Sequence, residues 1–212
     1  MSTWISERSW RCLRQSVLIG AALVLSGCFD IGRSVPDLSR GGTETRVFRD
    51  PGGLAITGPS GYCIDPENAV RQADGGFVLL GGCDVLAGAR RGPRHHAILS
   101  ATYAMVDAGI AIRDYASFLD TARGQAMLSR ADDAATITVL DRDLRGDVLY
   151  LHIRDTSPNE GARLAAEHWR AALVVNGHGV MLSVHSTEAS PIAPAEGRSK
   201  ITAFVRAVQS AN

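Results

Sequence analysis

The chain has 212 residues, and its 22 basic and 22 acidic side chains cancel to a formal charge of zero. This balance excludes the strongly basic surface that nucleic acids select. With 45% hydrophobic and 21% charged residues, the composition is typical of an ordinary globular protein. The sequence therefore predicts no nucleic-acid partner.

The first thirty residues have the pattern of an export signal. Three arginines precede a nine-residue apolar run at 17–25, whereas a helix that crosses a bilayer needs about 20 apolar residues. A basic head, a short apolar centre and small residues before a break are typical of a secretory signal peptide. The run ends in the stretch LSGC, which resembles the lipobox of bacterial lipoproteins.

This resemblance implies that Cys28 carries a diacylglyceryl group, that residues 1–27 are a removed signal peptide, and that the lipid anchors the protein in a membrane. Ordinary secretion with a free Cys28, or an uncleaved anchor helix, are the alternatives. In such lipoproteins an aspartate directly after the cysteine often signals retention in the inner membrane. Here Phe29 holds that place and Asp30 follows, so the resemblance favours the periplasmic side of the outer membrane.

The segment 28–46 is rich in Gly, Ser, Arg and Asp and has no hydrophobic period, which predicts a flexible tether. Removal of the signal peptide leaves 185 residues, enough for one domain with a core. We predict that this globular domain spans residues 47–212. Only Cys63 and Cys83 remain inside it, both in an oxidising compartment.

The first half of the domain predicts several short elements. The stretch GGLAITGPSGYCI predicts strands at 54–57 and 62–64. The stretch DPENAVRQ predicts a short helix, with Asp65 as its N-cap and Pro66 at its first position. A buried strand is predicted at 77–80, followed by a polar loop in DVLAGARRGPR and another strand from His96 to about Val106.

The second half predicts one helix, two hairpins and a last helix. Apolar spacing predicts a helix in IRDYASFLDTARGQAML, weakened at its end by Gly124. A hairpin with strands at 136–140 and 148–154 surrounds a loop at 141–147, and its residues Leu149, Leu151 and Ile153 are expected to face the core. A second hairpin turns at NGHG, residues 176–179. After a loop in SPIAPAEGR, Ser199 is expected to cap a helix with its apolar face at 201, 204, 205 and 208.

This order predicts an α+β fold: a single domain with a mostly antiparallel sheet and two main helices packed on one face of it. In element order it is loosely similar to the PsbP/Mog1-like sandwich, although the two share no motif.

Cys63 and Cys83 each adjoin a strand, and the chain between them doubles back. A disulfide would close a loop of about 20 residues and stabilise the fold by roughly 3 kcal/mol. The alternatives are two unpaired buried thiols, or a pair that binds a metal ion or carries out redox chemistry. The sequence has no CxxC motif to support the metal or redox alternative. The stretches ITGPSGYCID and GGFVLLGGC resemble an uncharacterised group of short bacterial lipoproteins. That resemblance supports the cysteine pairing and the location in the cell envelope, but it supplies no catalytic residue.

The remaining polar residues give few candidates for a site. A rim for an oxyanion site would be formed by Arg90, Arg91, Arg94 and His95, because a guanidinium group can donate two parallel hydrogen bonds to an oxyanion. The alternative is an exposed loop with solvated charges. The histidines at 152, 168, 178 and 185 form no recognisable catalytic or metal pattern. His178 lies in a predicted turn and is expected to be exposed, and His152 alternates with Tyr150 on the presumed outer face of its strand. Four aromatic residues would line a ligand cleft or pack in the core, namely Tyr103, Tyr115, Tyr150 and Trp169. The sequence predicts no catalytic residue, no metal ligand and no cofactor.

Three functions remain as hypotheses. The first is a non-enzymatic, lipid-anchored module that binds an envelope protein or assists assembly. The second is a periplasmic domain that binds a small ligand or an oxyanion, and the third is a hydrolase using one of the histidines. An exposed apolar patch without a cavity would favour the first, and a deep pocket would favour the second.

The lipobox is tested by the substitution Cys28→Ser. The variant lacks the Cys28 sulfur to which the lipid would be attached. We therefore expect it to leave the membrane fraction and to lose labelling by a fatty-acid analogue. Unchanged labelling would refute the lipobox.

Overall fold

A computed structural model describes residues 46–88, 97–107, 109–158, 161 and 163–212. Two short strands, β1 (Val47–Arg49) and β2 (Ala55–Thr57), pair with each other, and the other strands form one seven-stranded sheet. The strands of this sheet are β3 (Tyr62–Gln72), β4 (Gly75–Gly82), β5 (Ile98–Met105), β6 (Ile137–Arg145), β7 (Val148–Asp155), β8 (Glu167–Val175) and β9 (His178–His185). Their order is β3-β4-β5-β9-β8-β7-β6, and all neighbours are antiparallel.

Four α-helices accompany the strands in the described residues. They are α1 (Cys83–Leu86), α2 (Ile112–Phe118), α3 (Ala122–Ala126) and α4 (Pro194–Ala211). A single 3₁₀ turn at Ala134–Thr136 leads into β6. The predicted α+β class with a mostly antiparallel sheet is therefore confirmed. None of these helices is long and apolar enough to span a membrane.

Both faces of the sheet carry buried apolar side chains, which the sequence did not predict. One face, which we call the α4 face, carries Leu99, Ala101 and Tyr103 of β5 and packs against α4 and the β1–β2 hairpin. The opposite face, which we call the α2 face, carries Leu149, Leu151 and Ile153 of β7 and packs against α2. The expectation that the helices lie on one face is wrong, because both alternating sets of β7 side chains are apolar enough to need a cover.

Helix α4 begins five residues earlier than Ser199, at Pro194. Proline is tolerated at the first helical position because its missing N–H would have no partner there. Gly197 lies so close to the Trp169 ring that a Cβ would stand 2.4 Å from its Cδ1 atom, so this glycine serves packing and does not break the helix. The predicted apolar face is confirmed, with Ile201, Phe204 and neighbouring valines buried.

The helix predicted in DPENAVRQ is wrong, since these residues belong to the eleven-residue strand β3. The pairing of β3 with β4 shifts register between Ile64 and Ala69, as at a β-bulge. Asp65 does make cap-like bonds there: its carboxylate accepts from the Glu67 N–H and from the Asn68 side chain. These local bonds stabilise the bulge in place of a helix start.

The helix predicted from Ile112 onward is divided in two. It stops at Phe118, and Thr121 then caps α3 by accepting a bond from the Gly124 N–H at 3.1 Å. A Cβ on Gly124 would lie 2.2 Å from the Phe118 carbonyl oxygen. The glycine therefore allows the tight turn between the helices. The stretch DVLAGARRGPR, predicted as a polar loop from Asp84 onward, begins within α1, which ends at Leu86.

Both predicted hairpins are present. In the second, Asn176 and Gly177 have positive φ values of 49° and 73°, as a two-residue type I′ turn requires. In the first, the predicted loop at 141–147 is mostly strand, because β6 continues to Arg145 and only Gly146 and Asp147 form the turn.

The Cys63–Cys83 disulfide is present and joins β3 to the start of α1. Both cysteines are buried. The pairing expected from the chain reversal between them is confirmed.

The side chain of Asn212 ties the end of α4 to the β1–β2 hairpin. Its amide donates to the Ala55 carbonyl at 2.8 Å and accepts from the Ala55 N–H at 2.8 Å, so it pairs with β2 as a further strand would. The same oxygen accepts from Asn176 at 3.1 Å. One side chain thus links three parts of the fold.

Replacement of this side chain tests the link. We expect Asn212→Ala to lower the free energy of unfolding by about 1–2 kcal/mol, because the Ala55 groups lose partners that water only partly replaces. Asn68→Ala is the matched control, since Asn68 is exposed and its side chain bonds only to Asp65. Equal denaturation midpoints for the two variants would contradict the link.

Candidate functional site

A cleft of about 310 Å³ opens on the α2 face of the sheet. Its floor consists of neighbouring residues on three central strands, Thr102 and Ala104 of β5, Met181 and Gly179 of β9, and Ala172 and Val174 of β8. Its wall includes Ile112 and Tyr115 of α2 and Met127 after α3. Almost all of this lining is hydrocarbon.

Small side chains explain why the sheet leaves room here. Register pairs Thr102 with Met181 and Ala104 with Gly179, so these residues lie side by side on one face. Gly179 also lets Val106 approach, because a Cβ there would stand 2.8 Å from a Val106 methyl group. Larger residues in these rows would fill the cleft from below.

Apolar side chains also surround the opening. Ile110, Met127 and Val174 are 44%, 55% and 40% exposed. Exposed apolar groups gathered around a concave site are typical of a binding surface. The cleft and its rim are therefore the strongest candidate for a site in the described part of the chain.

A polar cluster follows the cleft along the same face. Arg170 and Ser183 are register partners, as are Ser100 and Ser183. One row further, the rings of His168 and His185 stack with centroids 4.6 Å apart. The α2 face therefore changes from apolar to polar between the Ala172 row and the Arg170 row.

Hydrogen bonds fix the tautomer of His168. Its Nε2 accepts from the Arg170 Nε–H at 3.2 Å, and its Nδ1 lies 3.4 Å from the Ala166 carbonyl oxygen, which can only accept. Burial, the neighbouring His185 and the Arg170 charge hold the pKa of His168 well below its ordinary value. Burial, followed by the charges of Arg170 and Arg130, lowers the pKa of His185 to about 4. Both rings are neutral at pH 7.

Asp155 is fully buried beside this cluster and is already engaged. It accepts bonds from the main-chain N–H groups of Arg130 and Ser157, at 3.0 and 2.9 Å. Burial alone raises the pKa of Asp155, but these bonds and the Arg130 charge bring that pKa below its ordinary value. Asp155 therefore stays charged and pairs with Arg130 at 3.6 Å.

Two further histidines lie on the α4 face, where sequence reasoning did not place them. His178, expected to be exposed in its turn, is 1% exposed and points its Nδ1 at the Asn176 carbonyl at 2.9 Å. Its Nε2 is 3.6 Å from Asp50, which accepts a bond from the Tyr103 hydroxyl at 2.9 Å. These contacts hold the β1–β2 turn against the sheet.

His152 was expected on an outer face beside Tyr150, but both are buried under α4. The His152 ring stacks on Trp169 at a centroid distance of 4.6 Å, and its Nε2 lies 3.4 Å from Glu167. Tyr103, Tyr150 and Trp169 belong to the core on the α4 face, whereas Tyr115 lines the cleft.

The other predicted residues lie elsewhere or outside the described residues. Cys28 and the predicted oxyanion rim of Arg90, Arg91, Arg94 and His95 fall in segments that the structure does not describe, so these stay predictions. Among the residues described, no histidine is hydrogen-bonded to a serine or threonine hydroxyl, and no three His, Cys, Asp or Glu side chains are grouped to hold a metal ion.

Comparison with known proteins gives little further information. No protein-family model matches the chain, and no curated protein matches it. Among solved structures, the chain is similar to the solution structure of cyanobacterial PsbP (CyanoP) from Synechocystis sp. PCC 6803. The TM-score is 0.41 with 13% identity, over 82% of this chain and 94% of that chain. The likeness is of the loose kind expected from the element order.

The buried histidine pair predicts a specific dependence of stability on pH. Unfolded histidines take up protons near their ordinary pKa of 6.5, whereas folded His185 does so only near 4. The unfolded state therefore binds more protons between these values, and the free energy of unfolding falls as pH falls through this window. Each unit of pKa shift corresponds to about 1.4 kcal/mol.

The measurement is urea denaturation between pH 7.5 and pH 4 of the wild type and of a variant carrying His168→Gln and His185→Gln. We expect the wild type to lose a few kcal/mol over this range and the variant to lose clearly less. Carboxylates such as Asp155, with lowered pKa, lose their contribution only at lower pH. Parallel pH profiles for the two proteins would contradict the assignment.

Proposed function

We propose that the chain is a lipid-anchored periplasmic lipoprotein whose folded domain holds the hydrocarbon chain of a small lipid-like ligand in the α2-face cleft. The cleft itself carries this proposal. Its volume of about 310 Å³ is at the lower end of the range for small-molecule sites, roughly 300–1,000 Å³. This function develops the small-ligand hypothesis in preference to the oxyanion rim.

The lining determines what the cleft can hold. Ala172, Met181 and Ile112 offer no hydrogen bonds from their side chains, so a polar ligand would lose its bonds to water without replacement. A hydrocarbon loses nothing, and its burial contributes roughly 25 cal/mol for each Å² removed from water. Chemistry therefore favours an acyl or alkyl chain.

The proposed anchor supports this function. A lipid on Cys28 and a tether at 28–46 would keep the domain close to a membrane, where amphiphiles are abundant. The prediction from LSGC and the disulfide both agree with a location outside the cytoplasm, since disulfides persist in oxidising compartments.

A partner protein is the other candidate occupant, and the exposed Ile110, Met127 and Val174 favour it. An envelope protein would insert one apolar side chain and cover this rim. The concave shape of the cleft, with its volume of about 310 Å³, favours the hydrocarbon, because a flat protein contact needs no cavity. Crosslinking from position 110 in intact cells distinguishes the two occupants, since only a protein would give a discrete adduct of higher mass.

The cleft is tested by filling it. Ala104 lines the cleft and is exposed, so Ala104→Trp should occupy the space without disturbing the core. We expect the affinity for the fluorescent apolar probe N-phenyl-1-naphthylamine to fall about 10-fold or more. The full chain carrying Cys28→Ser is used throughout, so that no detergent is needed.

Val139→Trp is the matched control, because Val139 is a similarly exposed apolar residue on the edge strand β6. It should bind the probe as the parent does. Equal loss in both variants, or no loss in Ala104→Trp, would overturn the cleft as the binding site.

A further inference from the structure

The α2 face offers a charge as well as a cleft. We propose that the ligand is an anionic amphiphile, with its hydrocarbon chain in the cleft and its carboxylate or phosphate group bound by Arg170. This inference rests on the proposed function and names the class of ligand for the same site.

Strand register places the charge next to the cleft. Ala172, Met181 and Thr102 are aligned across β8, β9 and β5 and line the cleft. Two residues along each strand, on the same face, lie Arg170, Ser183 and Ser100. Two residues of a strand span about 7 Å. The guanidinium-bearing Arg170 therefore belongs to the row of side chains next to the apolar floor of the cleft.

Arg170 has no carboxylate partner in the part of the chain that the structure describes. Arg130, Arg142 and Arg154 each form an ion pair within 4.0 Å, but Arg170 forms none, and its Nε–H bonds to the neutral His168. Burial lowers the pKa of Arg170, yet a guanidinium keeps its charge in proteins. A half-buried cation without a counter-ion is costly, and an anion bound there would remove that cost.

The carboxylate near Arg170 is Asp155, whose charge favours the charged form of Arg170. Its oxygens, however, already accept bonds from the Arg130 and Ser157 main chain, and it pairs with Arg130 at 3.6 Å. Asp155 therefore forms no direct ion pair with Arg170. The terminal nitrogens of Arg170 form no hydrogen bond with a described residue, so they are available as a two-pronged donor for an oxyanion.

Tyr115 connects the two halves of the site. It lines the cleft, and although burial raises the pKa of Tyr115, the charge of the nearby Arg170 opposes that rise. A ligand chain beside Tyr115 would therefore end near the guanidinium. A cationic head group would be repelled there, and a neutral one would leave Arg170 without a counter-ion.

The test compares four ligands that share a twelve-carbon chain and differ in the head group: dodecanoate, dodecyl phosphate, dodecanol and dodecyltrimethylammonium. Calorimetric titrations below micellar concentrations use the full chain carrying Cys28→Ser. We expect an anionic ligand to bind about 10- to 100-fold more tightly than dodecanol, the range for charge-assisted hydrogen bonds. Preference for dodecanoate identifies a fatty acid, and preference for dodecyl phosphate identifies a phosphate head group.

Arg170→Gln should bring the affinities for anionic and neutral ligands to within about 3-fold of each other, whereas Arg170→Lys should keep part of the preference. Arg154→Gln is the matched control, because it removes the same charge from the opposite face of the sheet. It should keep the preference in full.

The outcomes separate the two proposals. Equal binding of dodecanoate and dodecanol by the parent chain overturns the anionic head group and leaves the cleft intact. A preference that survives Arg170→Gln, in a variant whose thermal unfolding remains cooperative, overturns the role of Arg170. Failure of all four ligands to bind overturns the proposed function itself.

Discussion

The main constraint on this fold is that two short helices cover one face of a seven-stranded sheet. At about 4.8 Å per strand the sheet is roughly 29 Å wide, whereas the seven residues of α2 span only about 10 Å. Helix α4, with 18 residues, is about 27 Å long and covers the opposite face together with the β1–β2 hairpin. Among the described residues, no helix covers the α2 face over the cleft-lining parts of β5 and β9, and the cleft lies there.

The incomplete cover also accounts for the distribution of polar groups. On the α4 face, buried polar side chains such as His178 and Asp50 are held by each other and by main-chain groups. On the α2 face, Arg130 and Asp155 satisfy one another, but Arg170 is left with a histidine that carries no charge at neutral pH. A cation that forms no ion pair with a described residue and an apolar cleft thus lie on the same face, one row apart. Together they give the proposed ligand its two chemical halves.

The sequence was informative wherever local chemistry determines structure. Asn176 and Gly177 predicted their hairpin because few other residues adopt positive φ at both turn positions, and the apolar face of α4 follows from its period. Local chemistry gave the wrong prediction of a helix at Asp65 and Pro66. An aspartate that accepts bonds from the residues just after it can stabilise a β-bulge as well as the start of a helix. The strand prevailed there through its pairing with β4, a long-range contact that no local pattern reveals.

The cleft was beyond sequence reasoning for a related reason. Ala172, Thr102 and Ala104 are ordinary strand residues, and they matter because no helix of the described part of the chain packs directly on them. Arg170 likewise looks like any exposed arginine until register places it beside an apolar floor. Tyr103 and Tyr115 were expected to line a cleft or to pack in the core; Tyr103 packs in the core on the α4 face, whereas Tyr115 lines the cleft. His178 was missed because a turn position normally predicts exposure, and the β1–β2 hairpin that buries it comes from a distant part of the chain.

The Asn176–Gly177 turn has a consequence for how the chain folds. Its Gly177 carbonyl accepts from the Val106 N–H beside the cleft, while Asn176 donates to Asn212 at the end of α4 on the other side of the sheet. Neither α4 nor the helices of the α2 face can complete their contacts with the sheet until β8 and β9 have paired on either side of this turn. A two-residue loop is among the fastest to close, since the entropy lost on closure grows with loop length. The β8–β9 hairpin is thus the natural nucleus, from which the two layers assemble outward and in either order.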